Sequence, residues 1–290
     1  MLIRIVEILL PIFAIVGVGY IYGRQHRPEM GVANRLNMDI FVPALVFATL
    51  ASRSFELADY GSLALGGMAV VLLPGLLAWP VARWLGVAPK TFTPPMMFNN
   101  SGNMGLPLVL LAWGAEAMPA AVILFLAENT LHFSLGARML DPKARLLTLW
   151  RVPVMAASIA GIAVSLMQIQ IWPPIVTGIK LLGDISIPLL LFALGVRMTD
   201  VSLRDWKVTL VGAAFRPVTG MAVAYTATLL LGLTGRNAAM LIVFGALPPA
   251  VLNFLFAERY HQEPERVASI VLVGNLSALI FLPIALALTL

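Results

Sequence analysis

The sequence predicts an all-α membrane protein of ten transmembrane helices, built as two inverted five-helix repeats whose fourth and ninth helices are broken and cross. Three observations carry this. The chain has 290 residues, 60% of them hydrophobic and 11% charged, and a mean hydropathy of +0.93. A soluble domain carries roughly 25% charged residues, and surface-to-volume scaling demands a polar exterior however large the core. Lipid must therefore be the solvent for much of this surface. The segment Asp39-Ile40-Phe41-Val42-Pro43-Ala44-Leu45-Val46-Phe47-Ala48 returns 145 positions later, half the chain length, as Asp184-Ile185-Ser186-Ile187-Pro188-Leu189-Leu190-Leu191-Phe192-Ala193. Two apolar stretches are also interrupted at matching places in the two halves, a pattern that marks binding sites in transporters.

A helical span needs about 20 mostly apolar residues. Ten stretches qualify: 5–23, 35–52, 60–84, 91–113, 117–139, 152–169, 175–196, 207–232, 237–257 and 266–288. The first lacks a convincing small-residue cleavage site and continues into Gly17-Val18-Gly19-Tyr20. It is read as a retained span rather than a signal peptide. Trp150 and Trp172 bracket span 6 as interface anchors would.

Charge sets the orientation. Odd-numbered loops hold Arg24, Arg27, Arg35, Arg83, Lys90, Arg138, Lys143, Arg145, Arg151, Arg197, Arg204, Lys207, Arg259 and Arg266. The opposite side holds Arg4, Arg53 and Arg236, with Lys180 and Arg216 nearer the spans. The positive-inside rule places the first group in the cytoplasm and both termini outside it. The connection Asp141-Pro142-Lys143-Ala144-Arg145 divides the chain into residues 1–145 and 146–290. An odd number of spans per half inserts the second half upside down. The net charge of +5 is a topology signal, and no nucleic-acid partner is implied.

Span 4 contains Asn99-Asn100-Ser101-Gly102-Asn103-Met104-Gly105-Leu106-Pro107. No continuous helix favours this composition, and freed backbone groups in lipid cost several kcal/mol each unless something satisfies them. Such a stretch belongs where it lines a cavity inside the protein. The equivalent region of span 9 holds Pro248-Pro249 and Asn253. Crossing of the two breaks would bring half-helix N-termini together, and these favour an anion such as a carboxylate. The candidate substrate-binding residues are Asn99, Asn100, Ser101, Asn103, Pro248, Pro249 and Asn253. The bland alternative, two Pro-kinked helices, leaves the clustered amides unexplained. Asn37, at the cytoplasmic end of span 2, is expected to be inert toward binding.

Glu128 lies near the middle of span 5, with Asn129 beside it and His132 one turn on along the same face. Asn275 occupies the corresponding region of span 10. A buried carboxylate should be protonated, paired or bound to a cation. Glu128, Asn129, His132 and Asn275 are candidates for a coupling-ion or proton site. A Glu128–His132 hydrogen bond that merely ties helices together fits the same residues. Asp39 and Asp184 each follow a basic residue by four positions (Arg35, Lys180) and read as helix-end ion pairs, with Pro43 and Pro188 kinking their helices further in. Arg216, deeper in span 8, fits either a counter-charge for an anion or a snorkelling, structurally paired side chain. With no Cys and three scattered His, no disulfide or metal cluster is expected.

The span 4 segment Asn100-Ser101-Gly102-Asn103-Met104-Gly105-Leu106-Pro107, the early Asp-Ile-x-x-Pro segment and ten spans in this length resemble the auxin efflux carrier family along the whole chain. Its bacterial members include transporters of malonate and other organic acids. The resemblance implies a fold similar to bile-acid/sodium symporters. In that fold, spans 1, 2, 6 and 7 form a scaffold, and spans 3–5 and 8–10 form a mobile transport unit. It also implies a carboxylate site at the crossing of spans 4 and 9, and residence in a bacterial inner membrane. The long cytoplasmic loop of the long plant carriers is missing here, which leaves plant-type regulation without a basis, and an auxin substrate is not implied. The expected activity is secondary transport of a small carboxylate across the lipid bilayer by alternating access. No enzyme activity or cofactor is expected beyond Na+ or H+ coupling, and a homodimer is compatible with the sequence. An anion channel or uncoupled facilitator is the nearest alternative, set apart by the apolar stretches flanking the midplane polar cluster. A membrane sensor would need a signalling domain. Glu128, His132 and Ser101 fit no nucleophile motif, and no Walker-type loop suggests use of ATP.

Overall fold

The computed structural model describes residues 1–51, 57–144, 152–200 and 205–290. Arg53, Arg145, Trp150, Arg151 and Arg204, which enter the charge and interface readings above, lie outside the described residues. In chain order the α-helices are α1 (Leu2–His26), α2 (Gly31–Leu36), α3 (Val42–Leu50), α4 (Gly61–Trp84), α5 (Pro89–Met97), α6 (Leu106–Trp113), α7 (Met118–Leu131), α8 (Ala137–Leu140), α9 (Pro153–Leu166), α10 (Pro173–Arg197), α11 (Trp206–Leu230), α12 (Gly235–Ala246), α13 (Leu252–Arg259) and α14 (Pro264–Thr289). Among the described residues there is no strand, only a single antiparallel bridge between Asn99 and Pro249.

Among the described residues, six helical stretches are long and apolar enough to cross a membrane: Leu2–His26, Gly61–Trp84, Ala115–Leu140, Pro173–Arg197, Trp206–Leu230 and Pro264–Thr289. At 1.5 Å per residue the shortest reaches roughly 36 Å, against about 30 Å of hydrocarbon. The protein is thus an integral membrane protein. The α4 sequence shows how one helix meets both environments. Val70, Val71, Pro74 and Ala78 are buried, while Leu73, Leu76, Leu77 and Trp84 are exposed. Both faces are apolar, as a lipid-facing helix requires.

The other four expected spans are made of shorter pieces. Residues 35–52 are divided among α2, a π-helical segment Asn37–Phe41 and α3. Residues 91–113 comprise α5, a π segment Ser101–Gly105 and α6. Residues 152–169 hold the 14-residue α9, and residues 237–257 hold α12 and α13. Two of the π segments lead into a proline, Pro43 and Pro107 respectively. Proline has no N–H and its ring crowds the carbonyl four residues back, so the ladder loosens by one residue there. Pro188 acts differently: α10 runs through it without interruption. The two copies of the Asp-Ile-x-x-Pro motif therefore share sequence but not backbone.

Two groups of helices pack closely within themselves. In the first, α1 lies along α10, with Val16, Gly19 and Gly23 meeting Gly195, Phe192 and Val196. The C-terminal ends of the two helices meet, Gly23 against Val196 and Thr199, and both ends line one cavity, so the two helices run the same way. The approach requires glycine. A Cβ on Gly195 would sit 2.0 Å from the Val16 carbonyl oxygen, and one on Gly19 would sit 2.2 Å from that of Phe192. Helix α3 packs on α9 and α10 in the same group. In the second group, α4 packs on α5, α7 and α11, and α11 packs on α12 and α14.

The expected ion pairs Arg35–Asp39 and Lys180–Asp184 do not form; among the described residues the ion pairs are His132–Glu128, Arg236–Glu116, Arg266–Asp205 and Arg266–Glu263. Both Asp39 and Asp184 are exposed. An exposed i, i+4 pair contributes only about 0.3–0.5 kcal/mol. The order here, base before acid, is also the weaker one on a helix.

The glycine contact generates a stability test. Gly195→Val should destabilise the protein by about 1–3 kcal/mol through overpacking against α1. Gly178→Ala lies in the same helix with nothing within 4 Å and should be neutral. Thermal unfolding followed by size-exclusion chromatography of detergent-solubilised protein reads both. Equal midpoints would mean that α1 and α10 do not approach as described.

Candidate functional site

Helix α5 stops at Met97 because Phe98 is extended (φ −91°, ψ 112°). Helix α12 stops at Ala246 because Leu247 is extended (φ −61°, ψ 140°). The two extended strips then pair with each other. Asn100 N–H donates to Pro248 O at 2.7 Å, and Ala250 N–H donates to Phe98 O at 2.8 Å. The Asn253 side-chain amide donates to the same Phe98 oxygen at 3.0 Å. Pro248 and Pro249 bring no N–H of their own, so this strip leaves fewer donors to satisfy. Its remaining acceptor, Pro249 O, takes a bond from Asn275 Nδ2 at 3.0 Å.

The asparagines close the rest of the ladder. Asn99 Nδ2 donates to Phe244 O, in the last turn of α12, at 2.7 Å. Asn100 Nδ2 donates to Asn275 Oδ1 at 2.8 Å. Asn275 also donates to Val271 O at 2.8 Å, so every polar atom of its side chain is engaged. Asn103 differs from these. It is half-buried and, among the described residues, its amide makes no hydrogen bond to protein.

Asn103 lines a cavity of about 60 Å³ beside the crossing, together with Asn99, Asn100, Ser101, Gly102, Glu128, Asn129 and His132. Met38, Val42, Phe125, Leu190, Ala250 and Leu252 supply the apolar wall. The cavity opens at the first turn after each break, where N–H groups lack helical acceptors. Three π segments, Asn37–Phe41, Ser101–Gly105 and His132–Gly136, each give it at least one side chain. On the opposite side of Ser101, Val109, Ala121, Leu124, Met240 and Leu247 leave a void of only about 10 Å³.

Glu128 is buried, accepts hydrogen bonds from Ser101 Oγ at 3.1 Å and Asn129 Nδ2 at 2.9 Å, and pairs with His132 Nδ1 at 3.0 Å. The His132 ring stacks on Phe98 at 4.0 Å and meets the edge of Phe256 at 4.9 Å. Its Nε2 is buried without a partner. The histidine therefore joins the carboxylate to the backbone of the first break through Phe98. Arg216 is fully buried in α11, with Nη1 donating to Gly245 O at 3.3 Å while Nε and Nη2 have no protein partner. Gly220 permits this: a Cβ there would meet Gly245 O at 2.1 Å and Arg216 Nη1 at 2.2 Å.

The structure thus brings Asn99, Asn100, Ser101, Asn103, Glu128, Asn129 and His132 to one cavity. Pro248, Pro249, Asn253 and Asn275 lie at the crossing without lining that cavity, and they hold its backbone. Asn37 differs from its reading as an inert end residue. It is buried in a π turn with both amide atoms unpartnered, next to the cavity-lining Met38. Its proximity to Pro43 was the available signal. The apolar wall residues carried no signal, because Met38, Phe125 and Leu190 look like any other core positions.

A family model described as membrane transport protein matches residues 142–286. The chain is 21% identical to an uncharacterized transporter of Methanocaldococcus jannaschii over 94% of this chain and 95% of that one. It is 24% identical to a Rhizobium meliloti protein named "Putative malonate transporter" over 94% of this chain and 92% of that one. It is 31% identical to the auxin efflux carrier component 3a of Oryza sativa over 46% of this chain and 24% of that longer protein. These are transporters rather than enzymes, and two of them align along nearly the whole chain. The chain belongs to the auxin efflux carrier family of membrane transport proteins.

Proposed function

We propose that this protein is a secondary carrier of small carboxylates, working by alternating access, with its substrate site at the crossing. The observation that carries the proposal is the unpartnered Asn103 amide. It faces a cavity where two interrupted helices present free N–H groups. A neutral amide can hold a carboxylate without burying an ammonium. The Rhizobium relative's name supports a dicarboxylate such as malonate as the first substrate to test. The apolar seal on one side of Ser101 supports a carrier over an open channel.

In this reading the chain makes ten passes as two inverted five-helix repeats. The α1, α3, α9 and α10 group is the scaffold, and the group built on α4, α5, α7, α11, α12 and α14 is the moving unit. Glu128 and His132 form the coupling site. Glu128 lines the cavity that would receive the anion, so its negative charge must be balanced by a proton or a cation when the substrate enters. Arg216 supplies fixed positive charge at the carbonyl end of α12. The basic loops face the cytoplasm of the bacterial inner membrane.

Uptake into proteoliposomes across a panel of mono- and dicarboxylates, with imposed sodium and pH gradients, tests the core of this. No transport of any member would remove the carboxylate assignment. Asn103→Ala should then weaken binding of the transported carboxylate by roughly 10- to 150-fold, the loss of one hydrogen bond to a charged ligand at about 1.5–3 kcal/mol. Asn237→Ala, at the far end of α12, is the control, since Asn37 is too close to the cavity to serve. Unchanged affinity in Asn103→Ala would move the site elsewhere.

Glu128→Gln should abolish gradient-driven accumulation while substrate exchange partly persists, because the amide keeps the shape and loses the charge. Full accumulation by a folded Glu128→Gln protein would leave Glu128 a structural role only. For orientation, reporter fusions at Leu290 and after Pro142 should report opposite sides of the membrane, with Pro142 cytoplasmic. The same side for both would break the two-half topology.

A further inference from the structure

A cavity much larger than the one at the crossing lies elsewhere in the protein. It has a volume of about 800 Å³ and lies between the C-terminal ends of α1 and α10 and the helices α13 and α14. Arg24, Arg27 and Arg197 line it, and among the described residues no Asp or Glu does. Neither Arg24 nor Arg27 forms an ion pair among the described residues. Its lining is mixed, with Asn34 and Thr199 beside apolar residues such as Phe254, Leu272 and Val251. Val251 stands between Ala250 and Leu252, both of which line the crossing cavity. One residue thus separates the arginine-lined chamber from the proposed substrate site.

Two features place these arginines where they are. Because α1 and α10 run the same way in contact, their C-terminal ends come together. Arg27 then ends α1 in the left-handed conformation (φ 44°, ψ 55°), its N–H closing on Gly23 O at 3.0 Å. This turn folds the chain over the helix end, and Gly23, Arg24 and Arg27 all face the chamber. Arginine at a helix C-terminus also favours the helix dipole and the cytoplasmic side of a membrane. Those effects account for basic residues at the ends of α1 and α10. They do not account for basic side chains gathered around one large chamber with no acidic residue among its described lining, an arrangement that focuses its field on anions.

We infer that this chamber is a second, outer anion station, where a small dicarboxylate is held by Arg24 and Arg27 before passing Val251 to the crossing. The inference rests on the carrier reading above, but its test can fail separately. The same guanidinium chemistry would also hold an anionic lipid headgroup, so the protein is placed in nanodiscs of zwitterionic lipid only, or with added phosphatidylglycerol. Phenylglyoxal modifies accessible arginines, and peptide mass spectrometry reads Arg24 and Arg27 individually. Malonate and succinate, with acetate for comparison, are the probes.

The expected result is protection of both arginines by the dicarboxylates in zwitterionic discs, retained in Asn103→Ala. Protection that disappears in Asn103→Ala would overturn the station, since it would reflect occupancy of the crossing alone. So would protection by phosphatidylglycerol with no effect of dicarboxylate, or no protection in a protein that transports the probe. If the panel shows no carboxylate transport yet protection occurs, the station stands and the carrier reading fails. In transport, the Arg24→Gln/Arg27→Gln double variant should raise KM by about 10-fold at low ionic strength with kcat little changed, and the gap should close in high salt. A salt-independent loss of kcat would indicate a structural role and overturn the inference.

Discussion

In a bilayer, no water is available to satisfy an exposed peptide group, and each unpaired one costs several kcal/mol. Everything at the centre of this protein depends on how that requirement is met. Two helices are interrupted at mid-span, and their extended strips satisfy each other through Asn100 N–H to Pro248 O and Ala250 N–H to Phe98 O. Neither break is tolerable alone. Each is the hydrogen-bond partner of the other, and this ties residues near position 99 to residues near position 249 across the chain.

The same requirement explains the composition. Proline on the second strip removes donors, and asparagine on the first supplies side-chain donors where carbonyls remain. Asn99 reaches the end of α12, Asn253 reaches Phe98 O, and Asn275 reaches Pro249 O. Only after these are assigned does Asn103 stand out as an amide without a structural duty. The asparagine cluster at the crossing is therefore mostly scaffolding, and among the asparagines that line the cavity Asn103 is the one whose amide makes no hydrogen bond among the described residues.

The broad architecture was legible because its signals are strong and local. Hydropathy marks the apolar stretches, and Gly, Pro and Asn in the middle of one point to a break near Ser101–Asn103, which the structure places a few residues earlier at Phe98–Asn100. What the sequence left undetermined depends on packing. The Arg35–Asp39 and Lys180–Asp184 spacings look like ion pairs, yet exposure and unfavourable order leave them open. Pro43 and Pro188 occupy equivalent motif positions, yet only the first sits beside a π turn, and Asn37 is buried there. A Glu–His spacing of four predicts the pair at 3.0 Å, but nothing in it predicts that Phe98 stacks on the ring. Glycine at 195 reads as one helix glycine among many until the backbone of α1 is found against it.

Charge is distributed in a way that suits the proposed carrier. In the proposed site an anion would meet neutral amides and one carboxylate, Glu128, which pairs with His132 on the described cavity wall. Two like unit charges 4 Å apart at an effective dielectric of about 20 repel by roughly 4 kcal/mol. A dicarboxylate entering beside an ionised Glu128 would meet that opposition unless a proton or cation came with it. Coupling then needs no separate gate, since the substrate's charge and the site's charge set the condition for joint occupancy. Fixed cations within the cavity would defeat this arrangement, because they would hold the anion whether or not the coupling ion arrived. In that proposal Arg24 and Arg27 attract the anion from beyond Val251, while the buried Arg216 is held at Gly245 O and does not line the crossing cavity. The separation of strong, exposed positive charge from a weakly charged inner site is the arrangement a reversible carrier of anions requires.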